Sequence, residues 1–246
     1  MNVNDLLIAH GFTDLKAKNI YDDKIGAPGE RKLLKGTMDA GWFGEVASND
    51  FISGDALAKM LGITAGTSQY SNEPWLKFAY EGDVYLMAKK AFRYSISWDQ
   101  INAAKAVYGD RTVTIKGKSY EAMIPRGTGK DVQPDPKTMI AGYDGSVNHK
   151  SMWNALMLPI SSKAPSSWKY PNNVKSPTDN WGCSYSDADI NTDGTNGGYT
   201  WCQETVANNA SRRLVRGSNG VSFSSYDTSD IAYRYIGWRP VLKIVG

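Results

Sequence analysis

The side chains that most often carry catalysis are few and scattered in this sequence. It has 2 histidines and 2 cysteines among 246 residues. His10 lies in the N-terminal region and His149 follows a polar turn, and both are expected at the surface rather than as ligands. No Ser-His-Asp arrangement and no glycine-rich phosphate loop after a strand is evident. The sequence therefore favours a protein that is not an enzyme.

The two cysteines, Cys183 and Cys202, are too few to hold together a chain of this length. The first eleven residues also lack the basic start and long apolar stretch of a signal peptide. We therefore expect two free, half-buried thiols. A disulfide between them, formed after release from the cell, is the alternative.

One segment could hold a metal ion. Residues 189–194 match the first half of an EF-hand calcium loop, with Asp189, Asn191 and Asp193 at its first ligand positions. Thr200 stands where the bidentate glutamate would be, and no flanking helices are evident. A polar turn stabilised by these side chains is the preferred interpretation, with calcium as the alternative. No other cofactor is predicted.

The aromatic composition points to binding rather than to catalysis. The chain has 8 Trp and 14 Tyr but only 6 Phe, together with 24 Gly. Trp and Tyr combine a large apolar area with a polar group. This composition is typical of a loop-rich domain whose irregular segments are held by aromatic anchors, and it also suits a binding surface.

The segment 222–235 has the composition of such a surface. Ser, Tyr and Asp dominate it, and these types give adaptable hydrogen bonding with rigid contact area. The candidate ligand-binding residues are Ser224, Ser225, Tyr226, Asp227, Tyr233, Arg234 and Tyr235, with Trp181 and Tyr199 as neighbours from a preceding long loop. The alternatives are a plain solvated loop, or tyrosines 233 and 235 packing inward on the core.

Three short helices and two hairpins are predicted in the middle of the chain. Serine caps and terminal glycines bound helices at 53–62 and 97–109, the second with a capping box, and a third helix at 152–158 ends at a proline. Apolar runs on either side of Glu81-Gly82-Asp83 and Lys116-Gly117-Lys118 predict the hairpins.

The two ends of the chain differ in character. Residues 1–49 are polar and poorly periodic, hold too few apolar residues for a core, and are predicted to form an arm before a domain at 50–246. Residues 161–198 form a long loop rich in Ser, Pro, Asn, Asp and Gly. Strands are predicted at 199–204, 213–217, 220–224 and 238–245.

Charge and hydropathy exclude two kinds of partner. The net charge is +3, from 28 basic and 25 acidic residues, and no Lys/Arg stripe suggests a nucleic-acid binder. The mean hydropathy is −0.44, and no apolar run approaches the roughly 20 residues of a membrane span. We expect neither nucleic-acid binding nor membrane insertion.

Three C-terminal segments occur in a distinctive order: 201–205 (Trp-Cys-Gln-Glu-Thr), 213–217 (Arg-Leu-Val-Arg-Gly) and 236–242 (Ile-Gly-Trp-Arg-Pro-Val-Leu). This order resembles the end of C-type-lectin-like domains of the formylglycine-generating-enzyme type. In those domains an Arg-Val-x-Arg-Gly-Gly strand leads to a variable loop and a Gly-Phe-Arg strand closes the fold. The same scaffold occurs in phage receptor-binding proteins diversified by retroelements.

The wider stretch from residue 51 to residue 245 resembles a family of bacteriophage virion proteins. The segments that carry this resemblance, besides the C-terminal three, are 51–55, 71–78, 94–98, 107–111 and 153–154. The related formylglycine-generating enzymes use a pair of nearby cysteines, and Cys183 and Cys202 do not reproduce that spacing. The resemblance therefore does not carry catalysis to this chain.

The resemblance implies an α+β, loop-rich, C-type-lectin-like fold with few short helices and antiparallel strands. It implies that the strand at 240–245 pairs with a strand within 75–88, since the ends of this fold meet. It also implies a virion protein assembled in the host cytoplasm as a homo-oligomer, in a tail fibre, baseplate or head fibre. The arm would contact other virion proteins, and the lectin-like domain would face a saccharide or protein receptor on the host cell. The alternatives are a capsid decoration protein without a receptor role, and an enzyme on the same scaffold.

Overall fold

The structure, a computed structural model, describes residues 28–127, 151–162, 181–206 and 209–245. Strands dominate these ranges. They are β1 (Lys35–Gly36), β2 (Ala40–Val46), β3 (Thr67–Ser68), β4 (Trp75–Tyr80), β5 (Asp83–Ala88), β6 (Arg93–Tyr94), β7 (Tyr108–Ile115), β8 (Lys118–Met123), β9 (Tyr199–Val206), β10 (Asn209–Gly217), β11 (Ser224–Thr228), β12 (Ile236–Trp238) and β13 (Val241–Val245). The helices are α1 (Gly54–Leu61), α2 (Trp98–Ala103) and α3 (Met152–Met157), with a 3-10 turn at Ser48–Asp50.

The strands form two sheets. The first has seven strands in the order β1-β2-β4-β5-β13-β8-β7, and the second has six in the order β11-β10-β9-β12-β6-β3. Pairing is antiparallel except between β12 and β9, which run parallel. The α+β class is therefore confirmed at the level of a strand-rich fold with mixed sheets and few helices.

The C-terminal strand pairs with a strand within residues 75–88, as predicted. β13 pairs antiparallel with β5 from Val241↔Met87 to Lys243↔Tyr85, and on its other side with β8. β13 thus lies between two hairpins, β4–β5 and β7–β8, that come much earlier in the sequence. This arrangement brings the end of the described chain into the centre of the sheet.

The seven-stranded sheet is buried on both faces, so its central strands do not alternate between core and solvent. All six residues of β4 are buried. Trp75 and Ala79 face a core shared with α1, α2 and the second sheet, whereas Leu76 and Phe78 face a second core shared with α3. A strand covered on both sides reads as an apolar run, which is why β4 and β5 are so rich in large side chains.

Tryptophan indoles tie irregular segments to the cores, as the composition predicts. Each indole N–H of four buried tryptophans donates to a backbone carbonyl: Trp75 to Ile52, Trp98 to Cys202, Trp153 to Val221 and Trp201 to Ile96, at 2.7 to 3.0 Å. Each bond joins an apolar ring in the core to a distant part of the chain. The loops are therefore held without long regular elements.

All three predicted helices are present, but one of them is shorter than predicted. Ser97 and Gln100 form the capping box of α2. The helix ends at Ala103, not near Gly109, because Tyr108 and its successors pair with β8 instead. Both predicted hairpins form, and their turn residues Glu81-Gly82 and Lys116-Gly117 all have positive φ.

The boundary predicted for the arm does not coincide with an edge of the fold. Residues 40–46 form β2, which pairs with β4 from Ala40↔Tyr80 to Val46↔Trp75. Trp42 and Phe43 of β2 are 4% and 1% exposed and belong to the two cores. The sheet therefore begins before residue 50, because β2 covers one side of β4. Residues 1–27, including His10, lie outside the described ranges, as does His149.

No helix within the described ranges is long and apolar enough to cross a membrane.

Candidate ligand-binding surface

The segment predicted as a variable loop, 222–235, contains a strand. Ser224–Thr228 is β11, the outermost strand of the six-stranded sheet, and it pairs with β10 from Arg216↔Ser224 to Arg212↔Thr228. The prediction of a loop is thus wrong for these residues. A pattern of Ser, Tyr and Asp does not exclude a strand, because one side of an edge strand meets solvent. The segment after β11, residues 229–235, connects it to β12 without a regular element.

Three of the predicted tyrosines meet at the surface beside β11, and we call Tyr199, Tyr233 and Tyr235 the tyrosine cluster. The rings of Tyr233 and Tyr235 stack with centroids 4.9 Å apart and planes 12° apart. Tyr199 meets Tyr235 edge-on, with centroids 6.0 Å apart. Tyr235 is 36% exposed, whereas Tyr233 and Tyr199 are half-buried and also pack against the first core. The inward alternative thus applies in part to Tyr233 but not to Tyr235.

Asp227 holds the tyrosine cluster to the sheet. Its Oδ2 accepts a hydrogen bond from the Tyr235 hydroxyl at 3.1 Å, and its Oδ1 accepts one from the backbone N–H of Thr228 at 2.9 Å. Partial burial, followed by the nearby Asp227 charge, raises the pKa of Tyr235 to about 12. Tyr235 is therefore a neutral donor at physiological pH, and Asp227 orients it.

The other predicted residues are placed differently. Tyr226 precedes Asp227 in β11, so its side chain lies on the opposite face of the strand from the tyrosine cluster. There the guanidinium of Arg212 lies 4.7 Å from the centre of the half-buried Tyr226 ring. Ser225 is half-buried and Arg234 is exposed, whereas Ser224 is fully buried and so unavailable to a ligand. The backbone of the cluster is fixed by the parallel contact of β12 with β9, where Tyr199 N–H donates to the carbonyl of Tyr235 at 2.9 Å.

Trp181 is not part of this surface. It is 7% exposed, belongs to the second core and packs against Phe78 with ring centroids 6.3 Å apart. Its backbone N–H donates to the carbonyl of Pro159 at 2.8 Å. Trp181 therefore closes the far face of the seven-stranded sheet, and its proposed role as a neighbour of the tyrosines is wrong.

One contributor to the surface was not predicted, and neither was the arginine that covers Tyr226 on the other face of β11. Phe223 is half-buried and meets Tyr199 with centroids 6.1 Å apart, whereas Arg212 covers Tyr226. Phe223 lies within the segment singled out from the sequence, so an aromatic side chain there was a usable signal. Arg212 is brought in by the β10–β11 register, for which the sequence carries no local signal.

The candidate calcium residues act as turn-forming side chains in the structure. Asp189 Oδ2 accepts bonds from the N–H and hydroxyl of Ser186 at 2.9 and 2.7 Å, and these bonds lower the pKa of Asp189. Asp193 Oδ1 accepts a bond from the Thr195 hydroxyl at 2.7 Å. The Asn191 amide donates to the Thr195 hydroxyl at 3.0 Å. Within the described residues no three His, Cys, Asp or Glu side chains come together as a metal site.

A buried arginine uses the backbone oxygens of this same segment. The Arg239 guanidinium donates to the carbonyls of Ile190 and Asn191 at 2.6 and 3.4 Å, and it also donates to the Thr200 hydroxyl and the carbonyls of Ala88 and Lys89. Burial lowers its pKa to about 9. Two carbonyl oxygens of the calcium-like segment are therefore hydrogen-bonded to an arginine of the protein itself. These contacts favour the interpretation of the segment as a polar turn.

The two thiols lie in different surroundings. Both cysteines are free. Cys202 is completely buried and burial raises its pKa well above the ordinary value, while burial and then the Glu45 charge raise the pKa of the half-buried Cys183 to about 11. Neither thiol is activated as a nucleophile, since both stay protonated near neutral pH.

The one polar cluster near Cys183 among the described residues joins Glu45, Lys89 and Tyr185. The Glu45 carboxylate accepts a bond from the Tyr185 hydroxyl and pairs with Lys89 Nζ at 2.7 Å. Lys89 Nζ also lies 4.4 Å from the centre of the Tyr185 ring. These contacts connect β2 to the segment around Tyr185, and burial raises the pKa of that tyrosine.

The tyrosine cluster is therefore an exposed aromatic surface with an adjoining carboxylate. Stacked rings can lie against the apolar faces of a sugar or against a protein side chain, and neighbouring polar groups can fix its orientation. Comparison of the chain with known protein families, with curated proteins and with solved structures finds no match.

Proposed function

We propose that this chain is a structural protein of a bacteriophage virion, with a C-type-lectin-like domain that faces outward and binds a receptor on the host cell. The proposed domain is not an enzyme. Its N-terminal region contacts other virion proteins, and the protein reaches the particle by assembly in the host cytoplasm.

The order of the C-terminal motifs supports the lectin-like fold. The Arg-Gly pair at 216–217 ends β10, and the Gly-Trp-Arg run at 237–239 spans the end of β12. Both strands flank β9, and the chain then returns through β13 to pair with β5. In a C-type-lectin-like fold the last strand is expected to pair with an early strand of the domain in this way.

The observation that carries the receptor-binding role is the tyrosine cluster beside β11. It presents an exposed Tyr235 that Asp227 orients and that stacks on the half-buried Tyr233. Large rings held at the surface by hydrogen bonds cost little conformational entropy when they bind, which is why tyrosine suits recognition.

The test replaces Tyr233 and Tyr235 together with Ala in the phage genome that encodes the chain. Because the rings lie at the surface, we expect particles that assemble with the variant protein but adsorb to host cells about tenfold more slowly or worse. Tyr70→Ala is the matched control, since Tyr70 is 39% exposed and lies outside the cluster.

Two measurements separate the parts of this proposal. Mass spectrometry of purified particles shows whether the virion contains the chain. If the particles lack the chain, the structural role is refuted. Normal incorporation with unchanged adsorption would remove the receptor role and favour capsid decoration.

A further inference from the structure

Within the described residues, three tyrosine rings lie under a basic side chain that also pairs with a carboxylate. The three groups are Tyr185 with Lys89 and Glu45, Tyr70 with Lys90 and Glu73, and Tyr80 with Arg126 and Glu81. The basic groups lie 4.4 to 5.0 Å from the ring centres and 2.6 to 3.8 Å from the carboxylates. A ring face and a carboxylate each attract a cation, so a tyrosine next to a carboxylate favours an ammonium or guanidinium group.

Tyr235 and Asp227 combine the same two groups within the tyrosine cluster. The Tyr235 hydroxyl donates to the Asp227 carboxylate, just as the Tyr185 hydroxyl donates to Glu45. The two oxygens of the half-buried Asp227 accept from neutral donors, the Tyr235 hydroxyl and the Thr228 N–H. These bonds orient the carboxylate but bring no positive charge to it, in contrast to the Tyr185 group, where Lys89 does so.

Two arginines flank this pair, and neither is bonded to it. Arg213 lies opposite Asp227 in β10, but its guanidinium donates to two backbone carbonyls of its own strand and lies 4.2 Å from the centre of the Trp98 ring. Arg234 precedes Tyr235 and is exposed. Among the described residues, Asp227 forms hydrogen bonds to neutral groups and no ion pair. The cation that suits this pair must therefore come from a ligand.

We propose that Tyr235 and Asp227 bind the ammonium group of a lysine side chain on the host receptor, which makes that receptor a protein. This inference rests on the proposed receptor-binding role of the tyrosine cluster. The ligand's ammonium group pairs with the Asp227 carboxylate and lies against the Tyr235 ring, in the arrangement that Lys89 adopts within the chain. Tyr199, whose ring plane is 70° from that of Tyr235, is a second aromatic neighbour. A neutral sugar hydroxyl gains less here, because it carries no charge for the carboxylate and the ring to attract.

Binding of n-butylammonium, which has the carbon chain and ammonium group of a lysine side chain, tests this site in the full purified chain. 1-Butanol has the same carbon chain without the charge. NMR titrations of the tyrosine ring signals at constant ionic strength should give a dissociation constant in the millimolar range for n-butylammonium, and a value at least about fivefold higher for 1-butanol.

The charge of Asp227 is tested by Asp227→Asn, which keeps hydrogen-bonding groups at both positions and removes the negative charge. We expect this variant to bind n-butylammonium at least about fivefold more weakly. Asp110→Asn is the matched control, because it removes an exposed carboxylate from the other sheet, and its binding should be unchanged. Thermal unfolding of both variants shows whether they are folded.

Adsorption to treated host cells tests the source of the ammonium group. Acetylation of cell-surface amines and protease treatment should each slow the adsorption of unmodified particles, and should change little for particles that carry Asp227→Asn. Adsorption slowed by acetylation but not by protease would place the amine on a glycan or lipid and overturn the proposal of a lysine. Equal binding of n-butylammonium and 1-butanol, or normal binding by Asp227→Asn, would overturn the ammonium site. Either result leaves the receptor role itself to the separate adsorption test of the Tyr233 and Tyr235 double variant.

Discussion

Two fully buried arginines differ sharply in what surrounds them. Arg239 makes hydrogen bonds to four backbone carbonyls and the Thr200 hydroxyl, and it lies 5.5 Å from the centre of the Trp153 ring. Arg216 donates to the Asn154 side chain, and its buried Nε has no partner among the described residues. Burial lowers the pKa of both, to about 9 and about 10 respectively. Arg239 thus joins several segments of the fold, while Arg216 is buried at a cost that its one bond offsets in part.

This contrast predicts opposite sensitivities to the same substitution. Arg239→Met leaves several buried carbonyls without a donor, so we expect the free energy of unfolding to fall by about 3 kcal/mol or more. Arg216→Met removes a desolvated charge and one bond, so the change should stay within about 1 kcal/mol. Urea unfolding followed by fluorescence measures both. Equal losses for the two variants would show that the larger number of hydrogen bonds to Arg239 does not distinguish it energetically from Arg216.

Short elements in this fold depend on their caps and on packing. α2 has six residues, which is too few for a helix that is stable by itself. Its Ser97 Oγ accepts from Gln100 N–H at 3.1 Å, and Gln100 Oε1 accepts from Ser97 N–H at 2.9 Å. Trp98 and Ile101 bury the inner side of the helix. In α1 the N-cap side chain accepts one bond, from Ala56 N–H to Ser53 Oγ at 3.3 Å, and it has no reciprocal capping box.

The two caps form a matched pair of tests. Ser97→Ala removes one bond of a reciprocal pair in a buried setting, so we expect a loss of about 1 to 2 kcal/mol in the free energy of unfolding. Ser53→Ala removes a longer, exposed bond and should cost about 0.5 kcal/mol. Chemical denaturation of both variants gives the comparison. A larger loss for Ser53→Ala would mean that cap geometry does not determine the stability of these helices.

At the scale of the whole molecule, the N-terminal part of the described chain belongs to the domain. β2 contributes Trp42 and Phe43 to the two cores. The buried Lys77 donates from Nζ to the carbonyl of Glu30 at 2.6 Å and lies 5.0 Å from the centre of the Phe43 ring. Burial, with Arg31 next in importance, lowers the pKa of Lys77 to about 8. The Lys77–Glu30 bond therefore attaches the segment before β1 to strand β4 of the first sheet.

Two truncations locate the boundary of the folded unit. Removing residues 1–27 leaves β1, β2 and the Lys77–Glu30 contact in place, so we expect a cooperative thermal transition close to that of the full chain. Removing residues 1–46 exposes the edge of β4 and deletes two buried aromatics, which should cost more than 5 kcal/mol, comparable to the whole stability of a domain. Calorimetry and the recovery of soluble protein measure both. A folded product of the longer deletion would restore the boundary that the sequence predicts near residue 49.

The sequence by itself determined the elements whose signals are local. A serine before a short apolar stripe and a glycine after it identify α1, and positive-φ turn residues between apolar runs identify both hairpins. The expectation that aromatic residues hold irregular segments was also accessible, because four of the seven tryptophans that the structure describes use their indole N–H in this way. These signals act between residues a few positions apart, or through composition alone.

The tertiary structure decided everything that depends on long-range pairing. Residues 1–49 are polar and poorly periodic as a whole, but residues 40–46 form a strand because β4 offers them an edge and two cores receive the aromatic side chains of Trp42 and Phe43. α2 ends early because Tyr108 and its neighbours gain strand partners in β8. Tyr199 joins Tyr235 through a parallel contact, and Trp181 is drawn away into the second core. Pairing and burial between distant segments outweigh local preference, since each buried side chain contributes more free energy than the propensity of its residue type.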